Sequence, residues 1–363
     1  MHPMKIIEAG LENKELREEQ KPLVSGSPLQ MHGVWRKPWM KKRILILGTG
    51  LLAVDLCEAI MSQGRRSVEI VGFLDGKVYR VGEQLVKHGI IGTYDQLAQV
   101  VEKHKANTIA VCLDDRRSVL PVQELLEFKA MGVEVLDGHY LFEETSGRLS
   151  IDSLRPSALI FSEGFRRRIV VVSIKRLLDI LVSLCGLVFL LPLFFLVAIL
   201  IKADSPGPVL YRQVRVGLRG RPYFIWKFRS MRQDAEKHGP RWAQANDPRI
   251  SRVGWWLRKT RIDEIPQLVN VLRGEMSLVG PRPERPGFVQ NLRRSIPYYD
   301  IRHTVKPGIT GWAQVKFRYG ASEEDSHTKL QYDLYYVKNL SFLLEMKVLI
   351  RTIRVVMLGE GAH

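Results

Sequence analysis

Apolar and polar positions alternate in three different ways along the chain. From Lys41 onward, short apolar runs are separated by stretches of mixed polarity. In "RILILGTGLLAVDLCEAI", Arg43–Leu47 reads as a buried strand, followed by a glycine turn and an amphipathic helix. "VEIVGFLD", "TIAVCLDD" and "VEVLDG" read as three further strands, with "TYDQLAQVVEKH" and "VQELLEFKAMG" as helices between them. Strands that alternate with helices predict an α/β unit whose mostly parallel sheet is covered on both faces. It is expected over 41–168, after a polar segment 1–40 that has no apolar stretch of the targeting kind.

The pattern then changes abruptly. Ile180 to Ile201 is a run of 22 residues without a formal charge. A helix needs about 20 such residues to cross a bilayer. Lys175 and Arg176 precede the run, Lys202 follows it, and 202–261 holds 15 Lys and Arg against 4 Asp and Glu. Positive flanks favour the cytoplasmic side, and a straight span cannot keep both there. Pro192 removes a backbone hydrogen bond near the middle of the run. A re-entrant membrane helix over 173–202, bent at Leu191-Pro192, resolves the conflict. A straight span with a tolerated proline is the alternative.

The remainder, 203–363, is polar and basic. "PVLYRQVRVG" and "RPYFIWKFRSM" read as strands, "DEIPQLVNVLRG" and "HTKLQYDLYYVKN" as helices. In "SFLLEMKVLIRTIRVVML", Leu343, Met346, Ile350, Ile353 and Met357 recur at helical spacing, with Lys347, Arg351 and Arg354 on another face. That pattern suits a helix in the membrane interface, or one packed on the protein's own core.

Charge and cysteine content narrow the chemistry. The net charge of +17 calls for a polyanionic partner: nucleic acid, an anionic bilayer or phosphorylated substrates. No helix-turn-helix, zinc or RNA-recognition pattern supports nucleic acid. Cys57, Cys112 and Cys185 have no CxxC spacing, so neither a disulfide framework nor a zinc site is indicated.

Two places are suited to chemistry. "GTGLLA" (Gly48, Gly50, Ala53) after a strand and opening a helix fits the dinucleotide-binding pattern of a Rossmann-like sheet. Asp75 comes 27 residues after Gly48, where an acidic residue about 20 on is usual. A nicotinamide or other nucleotide here, or a regulatory or structural role, are the readings left open. A short-chain dehydrogenase would also need Tyr-x-x-x-Lys on a helix. The one literal match, Tyr223 and Lys227, is in a strand-like stretch of another segment. The second place is "RKTRIDEIPQLVNVLRGEMSLVGPRPERP", where Asp263 and Glu264 sit among Arg258, Lys259, Arg261, Arg273 and Arg282. Arginine forks match phosphate oxygens, and Mg²⁺ takes one or two carboxylates plus substrate phosphate oxygens. A carboxylate pair favoured by a helix start explains the same residues without chemistry.

"KRLLDILVS", "DSPGPVLYRQVRVG", "KFRSM", "NDPRISRVG", "LRKTRIDEIPQLVNVLRGEMSLVGPRPERP", "VKPGITGWAQV", "KLQYDLYYVKN" and the final "GA" closely resemble the bacterial sugar transferase family. These are the monotopic polyprenyl-phosphate phosphoglycosyl transferases that start exopolysaccharide and O-antigen assembly. The α/β unit is similar to the nucleotide-binding-like domain ahead of the transferase in larger members. The resemblance implies a small α+β catalytic domain over 203–363 on the cytoplasmic face of the bacterial inner membrane. It implies that Asp263 attacks the β-phosphate of a UDP-sugar and releases UMP, before polyprenyl (undecaprenyl) phosphate takes the phosphosugar. Glu264 would hold Mg²⁺, and Pro281, Arg282 and Pro283 would help hold the nucleotide. Arg212, Arg215, Lys227, Arg229 and Arg261 complete the expected substrate-binding set, with Arg232 as further positive charge. A homo-oligomer is compatible with this reading. Many relatives have Ser-Pro at the helix break, where this chain has Leu191-Pro192. Larger relatives carry membrane helices ahead of the α/β unit, and none is read here, so attachment is expected to rest on 175–201 and the C-terminal helix. The rival reading is a membrane-anchored NAD(P)-dependent nucleotide-sugar oxidoreductase that uses the Gly48 turn.

Overall fold

The computed structural model describes residues 41–64, 67–113, 119–154, 156–166, 169–232, 235, 247–317 and 322–357. The segment 1–40 and the final "GA" lie outside the described residues. The first unit is α/β. Its strands are β1 (Lys42–Leu47), β2 (Val68–Asp75), β3 (Gln84–Leu85), β4 (His88–Thr93), β5 (Thr108–Val111) and β6 (Glu134–Asp137). They form one sheet in the order β3-β4-β2-β1-β5-β6, parallel throughout except for the antiparallel β3–β4 pair. β3 and β4 add to the four expected strands. "HGIIGT" is short and glycine-rich, so its apolar signal is weak.

The run "ILIL" is uninterrupted because both sheet faces are buried. Ile44 and Ile46 point into a core with Leu52, Leu56, Phe73 and Phe142. Leu45 and Leu47, on the opposite face, pack with Leu97, Phe128 and Val133. Helices α1 (Leu51–Ser62) and α4 (Gly138–Ser146) supply the first core, and α2 (Leu97–His104) and α3 (Val122–Ala130) the second. Helix α4 lay outside the expected elements. Asp137 caps it, accepting from the backbone N–H of His139 at 2.8 Å. Gly48 turns the chain from β1 toward α1 with φ +107°, and a Cβ there would lie 2.6 Å from the Cys112 carbonyl oxygen. Only glycine fits.

After the short helix α5 (Pro156–Phe161) come α6 (Ile169–Phe189) and α7 (Leu191–Asp204), bent by 60° at the break. Among the described residues no single helix is long and apolar enough to cross a membrane, but this bent pair is by length and composition. Pro192 lies in the first turn of α7, where a missing N–H costs no helical bond. The break is therefore stable, and Leu177, Leu181, Val188, Phe189, Phe195 and Ile199 stay exposed along the pair.

The base of α6 is polar and docked. Asp179 is buried and accepts hydrogen bonds from Ser277 Oγ at 3.1 Å and Leu278 N at 3.0 Å. Arg176 donates to the carbonyls of Val271 at 2.6 Å and Leu272 at 2.9 Å. Those carbonyls lie in the last turn of α9 (Gln267–Arg273), where helical acceptors have no donor four residues on, and Val271 O also accepts from Gly274 N at 3.0 Å. Lys175 donates to Val279 O at 2.9 Å and pairs with Glu345 at 2.5 Å. At the far end of the pair, Arg229 donates to the carbonyls of Pro206 and Ser205, both at 2.7 Å.

The rest of the chain is built on two small sheets. β7 (Leu210–Val216) and β8 (Pro222–Phe228) are antiparallel; β9 (Ser277–Val279) and β10 (Gly308–Thr310) are parallel. Helices α8 (Arg252–Lys259), α9, α10 (Pro286–Ser295), α11 (Trp312–Lys316), α12 (Glu323–Lys338) and α13 (Phe342–Met357) surround them. The expected helix over "DEIPQLVNVLRG" divides: residues 262–264 form a 3₁₀ turn, and α9 starts only at Gln267. On α13 the face that packs is Leu344 and Val348, while Leu343, Ile350 and Ile353 of the expected stripe point outward. The side chain of Met357 lies outside the described residues.

Asp179→Ala leaves the Ser277 hydroxyl and the Leu278 N–H buried without acceptors. We expect it to cost about 1–3 kcal/mol per orphaned group, read as a lower thermal midpoint of the detergent-solubilised chain. An unchanged midpoint would mean that α6 is not held at this base.

Candidate active site

Asp263 and Glu264 sit on the 3₁₀ turn that Arg261 opens. Arg261 has φ +56° and ψ 17°, a left-handed conformation that costs a residue with a Cβ roughly 1–2 kcal/mol. That turn redirects the chain between α8 and α9. Both carboxylates are thereby buried against β8, at 6% and 7% exposure.

Their surroundings differ. Glu264 Oε1 accepts from Lys227 Nζ at 2.9 Å and from Arg282 Nη2 at 2.7 Å, with Arg261 Nη1 4.0 Å from Oε2. Burial alone would raise its pKa, but Arg282 and Lys227 hold the carboxyl well below the ordinary carboxylate range. Glu264 is thus held toward its ionised form by two cations. Among the described residues the Asp263 carboxylate accepts no hydrogen bond, and Lys227 Nζ is 3.9 Å away. Burial pushes its pKa up; Lys227 opposes the rise and the charge on Glu264 adds to it. A carboxylate with unengaged lone pairs beside fixed cations is suited to attack an electrophilic phosphorus. Two hard oxygen donors, with Glu264 Oε2 accepting no hydrogen bond among the described residues, also fit a Mg²⁺ ion that takes its other ligands from water and substrate phosphate.

Arg282 is aimed by its backbone. The three consecutive carbonyls of Pro281, Arg282 and Pro283 accept from Gly308 N at 3.0 Å, Arg302 Nη2 at 2.8 Å and Arg215 Nη1 at 3.0 Å. The segment borders a small cleft that Gly217, Arg302 and His303 also line. Arg302 is itself buried, paired with Asp333 of α12 at 2.8 Å and bonded to the Tyr299 hydroxyl at 2.6 Å. Sequence reasoning missed this pair, because the partners stand 31 positions apart without a local signature.

The other expected residues divide. Lys227, Arg261, Pro281, Arg282 and Pro283 converge on the dyad or its loop, and Arg215 braces that loop. Arg229 is buried and spends its donors on the end of α7. Arg212 stands opposite Trp226 in the β7–β8 register, its guanidinium 5.2 Å from that ring, on the ribbon face away from Lys227. Neither is brought to the dyad. Tyr223 and Lys227 share strand β8, where four residues span roughly 13 Å, too far to act as a helical Tyr-x-x-x-Lys pair. Ala53 lies in the first turn of α1, and Gly48 and Gly50 form a separate turn in the first unit. Asp75 is brought to it after all, bonded to the Thr49 hydroxyl and to Arg80 at 2.7 Å.

Arg302→Met leaves Asp333 buried without its cation and is expected to cost about 3–5 kcal/mol, measured by denaturant unfolding. An Arg302→Met/Asp333→Leu double variant should recover much of that loss. His303 gives a pH signature. Burial, then the charge of Arg302, push its pKa down to about 4 against the opposing pull of Asp300. An unfolded His takes its proton near pH 6.5. Between those values the unfolded chain binds a proton that the folded chain does not. Stability is therefore full above about pH 6.5 and falls as the pH drops toward 4. Thermal midpoints across that window should show the loss, and His303→Gln should flatten it.

Residues 170–359 match the family described as bacterial sugar transferase. The chain is 46% identical over 221 residues to a UDP-N-acetylgalactosamine-undecaprenyl-phosphate N-acetylgalactosaminephosphotransferase of Aeromonas hydrophila, covering 61% of this chain and 52% of that protein. It is 32% identical over 324 residues to an undecaprenyl-phosphate glucose phosphotransferase of Komagataeibacter xylinus, covering 87% and 59%. With the exopolysaccharide production protein PSS of Rhizobium leguminosarum bv. phaseoli it shares 42% identity over 186 residues, covering 50% of this chain and 93% of the relative. The chain spans about half the length of the first two relatives. The crystal structure of UDP-D-quinovosamine 4-dehydrogenase from Vibrio fischeri matches 31% of this chain and 98% of that one at 23% identity, with a TM-score of 0.24, an overlap too slight to argue from. The match over 170–359 contains the dyad, the bent helix pair and the Pro281–Pro283 loop together, and the chain belongs to the bacterial sugar transferase family.

Proposed function

We propose that this chain transfers a sugar phosphate from a UDP-sugar to polyprenyl phosphate, as the first membrane step of exopolysaccharide or O-antigen assembly. The observation that carries it is the asymmetric dyad: Glu264 fixed by Lys227 and Arg282, and Asp263 beside it with no hydrogen bond among the described residues. Relatives named for transfer between UDP-sugars and undecaprenyl phosphate support the substrate class. An Asp263 oxygen attacks the β-phosphorus of the donor. The bond from that phosphorus to the bridging oxygen breaks, UMP leaves with the electron pair, and a phosphosugar remains on Asp263. A phosphate oxygen of the polyprenyl phosphate then attacks the same phosphorus and frees the aspartate, giving a diphosphate-linked lipid. Arg282 and Lys227 offset the charge that builds on the transferring phosphoryl group. Mg²⁺, when bound by Glu264 with substrate oxygens, supplies further charge neutralisation.

The same proposal covers the membrane. The base of α6 and the end of α7 are hydrogen-bonded to one compact unit, α9–β9 at one end and β8 at the other. That arrangement supports a re-entrant pair over 173–202 with both flanks on the cytoplasmic face, ahead of a catalytic unit over 203–363. The strand order β4-β2-β1-β5-β6 with the glycine turn after β1 supports a Rossmann-like reading of 41–168.

Asp263→Asn should lower UMP release from UDP-sugars, assayed with Mg²⁺ and polyprenyl phosphate, by roughly 10³-fold or more. Ready turnover by that variant would remove Asp263 as the nucleophile. The relatives' names include N-acetylgalactosamine and glucose donors, so a UDP-sugar panel in the same assay reads out the sugar. Topology is tested separately: with Cys185 replaced, cysteines introduced as Arg166→Cys and Pro206→Cys should label only from the cytoplasm. Periplasmic labelling of either one would exclude the re-entrant pair.

A further inference from the structure

The transferase reading uses Lys227, Arg261 and Arg282, and leaves a second group of cations without a role. Trp312 opens α11 and is buried at 2% exposure. Its indole N–H donates to Gly147 O at 2.7 Å, and its ring stacks on Tyr335 with centroids 5.8 Å apart. The indole is therefore held at both its N–H and its ring face. Lys316 Nζ, Lys347 Nζ and Arg351 Cζ lie 5.1, 5.5 and 5.2 Å from its ring centroid. Lys316 ends α11; Lys347 and Arg351 are one turn apart on α13. Among the described residues no carboxylate pairs with any of the three.

An aromatic face attracts cations but does not neutralise them, and three like charges around one ring repel each other. Burial, then Arg351 and Lys347, lower the pKa of Lys316. A guanidinium fork with two ammonium groups is the donor set that a phosphate oxyanion takes. The adjoining surface tells which kind of phosphate. Leu343, Ile350 and Ile353 of α13 are exposed at 79%, 67% and 59%, and Ile350 is next to Arg351 in the chain. Cations bordering an outward apolar stripe are complementary to an anionic headgroup above acyl chains.

We propose that Lys316, Lys347 and Arg351, gathered on Trp312, form a binding site for the phosphodiester headgroup of an anionic phospholipid whose acyl chains lie along Leu343, Ile350 and Ile353. The site rests on the membrane reading of the chain and not on the chemistry at Asp263. It would fix α13, and through the Lys175–Glu345 pair the base of α6, at headgroup depth.

The test uses the full chain in a neutral detergent, titrated with short-chain phosphatidylglycerol or with phosphatidylcholine of equal chain length. Thermal midpoint and lipids retained in native mass spectrometry are the readouts. Phosphatidylglycerol should raise the midpoint saturably and be retained, and phosphatidylcholine should do neither. Lys316→Gln/Lys347→Gln/Arg351→Gln should weaken the phosphatidylglycerol response at least tenfold, without lowering the lipid-free midpoint. Should that variant not fold, Lys347→Glu alone, at an exposed position, should weaken it severalfold. Equal responses of variant and wild type, equal responses to the two lipids, or retention of a polyprenyl monophosphate with none of phosphatidylglycerol would overturn the proposal. Binding is read without turnover, so a failed Asp263 assay leaves this result standing, and the reverse also holds.

Discussion

Glu264 is an ionised carboxylate with little access to water, and the cost of that burial brings distant parts of the chain to one point. A charge in such a place is tolerated only with partners close by. The partners are Lys227 from β8 and Arg282 from the loop after β9, both on the same oxygen. Arg282 can reach it because Arg302 holds the Arg282 carbonyl, and Arg302 is held by Asp333 on α12. The candidate site is the end of a run of charge contacts that starts at the buried Arg302–Asp333 pair and ends at the buried Glu264.

Asp263 is the exception that this run permits. The cations serve Glu264 first, which leaves its neighbour beside positive charge but, among the described residues, without a hydrogen bond. Two adjacent carboxylates therefore have opposite electrostatic fates, one held ionised and the other pushed up. The left-handed residue Arg261 makes this possible. A regular helix through 261–264 would not present both side chains to β8 in this way.

The bent helix pair depends on the same part of the fold. Asp179 and Lys175 bond to β9, which runs on directly into the Pro281–Pro283 loop. Tyr336 of α12 also donates to Val279 O, at 3.1 Å. The strand that carries Arg282 toward the dyad is thus pinned by the base of the apolar pair on one side and by α12 on the other. The placement of the pair and the position of the site are set by one short strand.

Much of this was legible in the residues alone, where the governing physics is local. A run such as "ILIL" flanked by a glycine turn is a strand buried on both faces wherever it sits, and 22 uncharged residues with Pro192 inside them make a bent apolar helix. The dyad amid arginines pointed to phosphate for the same reason. What the residues alone left undecided is which charge meets which. Arg229 and Arg212 looked as fit for phosphate as Lys227 and Arg282, yet one is spent on the carbonyls closing α7 and the other lies over Trp226, on the ribbon face away from Lys227. The Arg302–Asp333 pair left no trace in spacing, and the outward stripe of α13 had two readings until Leu344 and Val348 filled the core. Periodicity and apolar length act over a few residues, whereas the partner of a buried charge is whatever backbone or side chain the folded chain brings to it.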